Sequence, residues 1–170
     1  MGEHICFRRN ERLATVNPHW RGNPVVRGKF VNRQHRFRPG MGSVLKWRLS
    51  PNPQRKEKKS VKWNPKLNYL RSLDGVVGNS LIWLGHNSFF LQLARKRIMF
   101  DPVFGDIPFV KRQSDFPANP DIFTDIDYLL ISHDHFDHLD KQSVARLVKN
   151  NPGMKLFCGL GTGELIKGWF

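Results

Sequence analysis

One stretch limits what this chain can become: Ser132-His133-Asp134-His135-Phe136-Asp137-His138-Leu139-Asp140, placed directly after the apolar run Tyr128-Leu129-Leu130-Ile131. That order reads as a short buried strand running into a polar loop, and open α/β sheets place their chemistry where a strand ends. Imidazole nitrogens and carboxylates suit zinc, and they also suit iron or manganese. If the loop stays extended, side chains two apart point the same way. His133, His135 and Asp137 would then share one side and His138 would turn to the other. Four such ligands within six positions exceed what one tetrahedral ion needs from so short a loop. Two adjacent ions are the more natural reading, with His133 and His135 on one and Asp137 and His138 on the other.

The residues after the loop agree with this. Asp140 is placed to cap a helix starting at Lys141, with Leu139 and Val144 as a hydrophobic staple across the first turn. Val144, Leu147 and Val148 form one apolar stripe. Asn150-Asn151-Pro152-Gly153 ends the helix. A strand and a capped helix therefore pin both ends of the loop.

H-x-H-x-D-H after an apolar strand resembles the metal-binding signature of the metallo-β-lactamase superfamily. Ile82-Trp83-Leu84-Gly85-His86-Asn87-Ser88, Phe100-Asp101-Pro102 and Gly159-Leu160-Gly161 stand around it in the order found in one branch. That branch holds the N-acylphosphatidylethanolamine-hydrolysing phospholipase D and the ascorbate-phosphate lactonases. Gly28-Lys29-Phe30-Val31-Asn32 resembles an upstream element of the phospholipase side. The resemblance implies an α/β (α+β) fold, a four-layer αββα sandwich of two similar halves, of which this chain supplies about one half. It implies a metal-dependent hydrolase in which His133, His135, Asp137 and His138 hold two divalent ions, zinc foremost. A hydroxide bridging the ions would attack a phosphodiester phosphorus or an ester carbonyl. Asp137 would also guide the water's proton. His86, Asp101 and Asp134 would stand behind the ligands, Asp101 orienting a ligand histidine. His86 reads equally as a hydrogen-bonded structural histidine, and Asp101 as a turn-forming Asp-Pro.

The net charge of +14 is unevenly spread. Residues 1–75 hold 18 Lys+Arg against 4 Asp+Glu, and residues 76–170 hold 10 of each. The chain thus divides into a basic, Pro-rich arm over 1–75 and a half-domain over 76–170. Such an arm suits a solvated segment, an anionic membrane surface or nucleic acid. Phe7, Trp20, Phe30 and Phe37 are spaced among its basic residues, as on a surface where bases stack. No nucleic-acid-binding module accompanies them, so an extended arm laying aromatics onto the main domain is the preferred reading. Ser50 to Lys59 reads as an exposed linker. It is suited to phospholipid headgroups, at about 1 kcal/mol per basic residue near an anionic surface.

Cys6 and Cys158 give no disulfide framework. Cys158 reads as a small buried hydrophobe, and a cytoplasmic setting, peripheral to a membrane, fits. No run reaches the roughly 18 apolar residues of a spanning helix, and Met1 to Asn10 lacks the apolar core of a signal peptide.

From Leu81 the pattern becomes regular. Strands are expected over 81–84, 89–93 and 97–100, with a hairpin turn at Arg95-Lys96, and again at 128–131 and 155–158. Residues 103–126 read as a long loop with exposed Phe104, Phe109, Phe116 and Phe123, suited to the wall of an apolar substrate pocket or to docking on the core. Gly159 to Gly163 lacks the Lys-Ser/Thr of a phosphate loop and reads as a strand-to-helix turn.

The family's remaining ligands, a histidine, a bridging aspartate and a last histidine, belong to the second half. The other histidines here, His4, His19, His35 and His86, all lie upstream of the loop. Two consequences are expected. Two protein ligands per ion are fewer than the three a catalytic zinc usually takes, so the site is completed by a second half-domain or a partner chain. The sheet, lacking its second layer, should show an exposed apolar face. The substrate is expected to be a lipid or other small molecule. The alternative to an enzyme is a non-catalytic basic protein binding nucleic acid or a membrane surface.

Overall fold

A computed structural model describes the chain apart from residues 1–3, 13–16, 32–39, 62–65, 108–111, 113 and 170. Phe37, His35, Asn32 and Phe109 therefore lie outside the described residues. The chain forms two compact units, 1–62 and 63–170.

The first unit holds structure where little periodicity is legible. Strands β1 (Cys6–Arg8), β2 (Asn23–Val26) and β3 (Lys29–Phe30) make an antiparallel sheet in that order. Val26 pairs with Lys29, so Arg27-Gly28 is the whole turn. Both residues have positive φ, 51° and 78°, the backbone of a primed hairpin turn. Arginine stands where Asn or Asp is usual, so the sequence carries no strong turn signal here. At Gly22 a side chain is excluded, because a Cβ would come 2.6 Å from the Arg8 carbonyl oxygen. Val25 and Val26 are buried, and the Arg21 guanidinium sits over the Phe7 ring at 4.9 Å. Helix α1 (Met41–Leu49) precedes the stretch read as an exposed linker, and helix α2 (Arg55–Ser60) falls largely within it; both are exposed along their whole length.

The second unit is built on a five-stranded sheet whose order is that of the sequence: β4 (Ser80–Gly85), β5 (Ser88–Leu93), β6 (Lys96–Phe100), β7 (Tyr128–Ile131) and β8 (Lys155–Cys158). The first three strands are joined antiparallel by tight hairpins, and β6, β7 and β8 run parallel. The β5–β6 turn falls at Ala94-Arg95, with φ of 49° and 64°, one residue earlier than expected. Between β7 and β8 lies helix α3 (Lys141–Asn150). The Asp140 carboxylate accepts from the Ser143 amide at 2.8 Å, and the staple residues Leu139 and Val144 are both buried. After β8, the turn at Gly161 (φ 99°) opens helix α4 (Thr162–Lys167). Cys158 is half-buried, and burial pushes its thiol above the ordinary range.

The two faces of this sheet differ. On one face Leu84, Phe90, Met99, Leu129 and Ile131 are buried beneath Leu73, Phe123, Leu139, Val144 and Leu147. On the other, the register lines up Trp83 with Phe89, Phe89 with Phe100, Phe100 with Leu130, and Leu130 with Phe157. A second row runs Leu81, Leu91, Ile98, Tyr128. This apolar face is open: Leu81 is 66% exposed, Trp83 55% and Phe157 51%. It is the uncovered surface expected of a sheet lacking its second layer.

The loop over 103–126 departs from expectation. Its described aromatics, Phe104, Phe116 and Phe123, are turned into the core rather than outward, which is the docking one of the two readings. Phe123 is fully buried, stacked on Phe104 at 5.7 Å and set edge-on to Phe116 at 6.3 Å. Phe104 and Phe116 are half-buried. Burying an aromatic contributes several kcal/mol, and the edge and stacked geometries add to it, so these rings dock the loop instead of lining a pocket. Asn151 locks it from below. Its side chain accepts from the Ile126 amide and donates to the Phe123 and Leu147 carbonyls, each at 2.9 Å.

Candidate metal centre

Three strand ends meet at one edge of the sheet. β6 and β7 are parallel neighbours, so Asp101 after Phe100 and Ser132 after Ile131 emerge side by side. The β4–β5 hairpin turns at the same edge, because Phe89 pairs with Phe100. Its tip, His86-Asn87, lies between the paired Gly85 and Ser88.

Asp101 is the fixed point. Its amide donates to the Leu130 carbonyl at 3.0 Å, and its carbonyl accepts from the buried Ser88 hydroxyl at 2.8 Å. Its carboxylate accepts from the Ser132 amide (2.7 Å), the Ser132 hydroxyl (2.6 Å) and His138 Nδ1 (2.8 Å). Asp101 holds φ of 39° and His86 holds φ of 50°. Left-handed backbone at non-glycine residues is costly and collects at functional sites.

The loop is not extended. The His135 carbonyl accepts from the amides of His138 (3.0 Å) and Leu139 (2.8 Å), so residues 135–139 close a helical turn. The alternation expected of an extended loop is lost, because i→i+3 and i→i+4 bonds replace period two by roughly a helical period. His138 consequently swings back beside His133, their ring centroids 4.0 Å apart, while His135 lies 4.4 Å from His133. Asp137 Oδ2 is 3.6 Å from His138 Nε2 and accepts from His86 Nε2 at 2.9 Å. That hydrogen bond is the main reason the Asp137 carboxyl is held below the usual carboxylate range, against a small opposing cost of burial. Asp134 is exposed and stands outside this hydrogen-bonded set.

Partner chemistry assigns the protons. An ionised carboxylate only accepts, so His138 carries its proton on Nδ1 and presents a lone pair at Nε2. The Asn87 side-chain amide donates to that lone pair at 2.8 Å. The Ser132 hydroxyl gives its proton to Asp101, so His133 Nδ1 donates to the Ser132 oxygen at 3.0 Å. His133 Nε2 is likewise left as a lone pair. A histidine whose Nδ1 proton is tied to a carboxylate or hydroxyl is oriented as metal-binding histidines are, and the donor set fits a divalent ion. In the arrangement seen, no three His, Cys, Asp or Glu side chains among the described residues are close enough together to hold one. As the side chains stand, His138 Nε2 is hydrogen-bonded to Asn87 and the Asp137 carboxylate to His86. Sequence reasoning does not single out Ser132, Ser88 and Asn87 as site residues, although all three lie within the stretches that carry the family resemblance.

The profile described as the beta-lactamase superfamily domain matches residues 96–170. The chain is 28% identical over 160 residues to N-acyl-phosphatidylethanolamine-hydrolyzing phospholipase D 1 of Caenorhabditis elegans, covering 85% of this chain and 45% of that protein. It is 36% identical over 78 residues to a metal-dependent hydrolase of Sulfolobus acidocaldarius, covering 45% of this chain and 31% of that protein. Among solved structures, a putative metal-dependent hydrolase of Parabacteroides distasonis aligns with a TM-score of 0.40 at 19% identity, over 52% of this chain and 34% of that one. The chain thus spans less than half the length of these relatives.

Proposed function

We propose that the whole protein is a metal-dependent hydrolase of the beta-lactamase superfamily, whose domain profile matches residues 96–170, and that its substrate is a phosphodiester of an N-acylated phospholipid or a similar lipid. The observation that carries this reading is the gathering of His133, His138 and Asp137 at one sheet edge, with Asp101 and His86 fastened behind them. His133 and His135 would hold one divalent ion, Asp137 and His138 the other, with zinc first and iron or manganese suited to the same donors. Bound ions would supply Lewis acidity and a water acidified to near neutral pH. Asp101 keeps His138 in the tautomer with a free Nε2, and His86 aims Asp137, the residue placed to take the proton of an attacking water. The phospholipid preference is supported by the 28% identity to the worm phospholipase. A lactone or carboxylic ester is the second reading, since the ligand pattern is shared with lactonases.

The same proposal accounts for the remaining parts. The open apolar face is covered by a second half-domain or a partner chain, which also completes the ligand set; exposed Leu81, Trp83 and Phe157 support this. The exposed helices α1 and α2, with Lys46, Arg48, Lys56, Lys58 and Lys59, support contact with an anionic membrane surface rather than nucleic acid. No helix among the described residues is long and apolar enough to cross a membrane. A cytoplasmic protein working at the membrane periphery accords with this reading.

Metal content by emission spectroscopy tests the centre. The unaltered chain should carry zinc that the His133→Ala/His135→Ala variant lacks, and equal content in both would remove the ligand assignment. Release of N-acylethanolamine from N-acyl phosphatidylethanolamine by the whole protein, with the phosphate left on phosphatidic acid, against hydrolysis of a simple lactone, decides the substrate class.

A further inference from the structure

The amide that blocks His138 belongs to a residue the hydrolytic reading leaves unused. Asn87 sits at the tip of the β4–β5 hairpin, where its backbone has little freedom. Gly85 and Ser88 are paired on either side, and the Trp83 indole donates to the His86 carbonyl at 2.8 Å, closing the turn. Asn87 is half-buried. Its Nδ2 lies 2.8 Å from His138 Nε2, on the one nitrogen that Asp101 leaves without a proton. An amide nitrogen only donates. The contact is therefore a hydrogen bond into the lone pair that a metal would use, and it excludes a metal from that atom while it lasts.

We propose that Asn87 is a latch on the metal-facing nitrogen of His138: its side-chain amide occupies Nε2 in the metal-free chain and is displaced when a divalent cation binds. The inference rests on the reading of His138 as a ligand. No proton changes hands in the exchange. His138 keeps its Nδ1 proton on Asp101, one hydrogen bond to Nε2 breaks, and one coordination bond forms. The latch keeps the half-buried lone pair satisfied before loading, since an unmet polar group in such a site is costly. The same bond weakens metal binding by what must be given up. A net neutral hydrogen bond sets that penalty at about three- to tenfold in affinity.

The test titrates zinc, in competition with a chromophoric chelator, into the whole protein that contains this chain, unaltered and as its Asn87→Ala and His138→Ala variants. Asn87→Ala should bind zinc about three- to tenfold more tightly than the unaltered protein, and His138→Ala more weakly. Nitrogen-15 spectra of the metal-free proteins supply a second reading: Asn87→Ala should move the His138 Nε2 resonance and leave that of His133 in place. A third reading needs no substitution, because the Asn87 side-chain amide resonance of the unaltered protein must shift on zinc saturation. Equal or weaker zinc binding by Asn87→Ala, or an Asn87 amide resonance that stays put on saturation, overturns the latch and leaves the ligand assignment standing. No zinc binding, or equal binding by the unaltered protein and His138→Ala, overturns the ligand assignment and the latch with it.

Discussion

Replacing Asp101 by asparagine changes one atom's chemistry and should change both the stability of the second unit and the proton on His138. The Asp101 carboxylate accepts three hydrogen bonds within 2.8 Å from Ser132 and His138, and the residue is 7% exposed. Asparagine keeps one oxygen, which the Ser132 amide retains. Its new NH2 then faces the Ser132 hydroxyl and His138 Nδ1, where acceptors are required. His138 must move its proton to Nε2 to accept there, and Nε2 would then meet the Asn87 amide donor to donor. Charge-assisted hydrogen bonds contribute about 1.5–3 kcal/mol each against about 0.5–1.5 for neutral ones. Three weakened bonds, partly offset by the lower cost of burying a neutral side chain, lead to an expected loss of about 2 kcal/mol. With a urea slope of about 1–1.5 kcal/mol/M for a unit of this size, the midpoint should fall by about 1.5 M. The assay is urea unfolding followed at the amide resonances of β5 and β6, with long-range nitrogen-15 spectra reading the imidazole tautomer. On the proposed ligand role of His138, zinc affinity should fall by about 10- to 100-fold, the range for residues that orient metal-binding histidines. A midpoint shift below about 0.3 M together with an unchanged His138 tautomer would refute the proton assignment.

Other consequences can be checked separately. Asn151→Ala strips partners from the Ile126 amide and two carbonyls in a buried setting and should cost about 2–4 kcal/mol by urea unfolding; a loss under about 1 kcal/mol would mean water replaces the side chain. The Lys96 ammonium and the Arg97 amide hold Asp127 below the usual carboxylate range. This contribution is present above the unfolded carboxylate pKa and is lost as pH falls through the lower folded value, so Asp127→Asn should flatten the acid limb of a stability–pH curve and leave the alkaline limb alone. Leu81→Lys/Phe157→Lys should cut the binding of a hydrophobic dye such as ANS while changing unfolding free energy by less than about 1 kcal/mol, because both positions are already more than half exposed. Undiminished dye binding would place the apolar surface elsewhere.

Much of the second unit is legible in the sequence because its signals are local. The apolar runs at 89–93 and 128–131 and the Asp140 cap each declare an element without reference to distant residues, and β5, β7 and α3 appear where they read. The uncovered sheet face is legible too, since a chain with one set of strands has nothing to lay over the second side. The first unit is not, because its turn uses arginine in a left-handed conformation and its central strand contains Pro24. The buried aromatics of 103–126 read as exposed because a loop without periodicity does not announce which way its rings turn.

For the candidate site, the sequence by itself determined the kinds of donor group and their place at a strand end. A tight cluster of imidazoles and carboxylates after a buried strand carries that meaning from composition and order alone. Only the tertiary structure decided which nitrogen of His133 and of His138 is free. The partners that settle it for His138, Asp101 and Asn87, lie 37 and 51 residues away in the chain. The physical reason is that a proton's position depends on which donor or acceptor faces it within about 3 Å. No local pattern encodes that, and it exists only once three strand ends have been brought to one edge of the sheet.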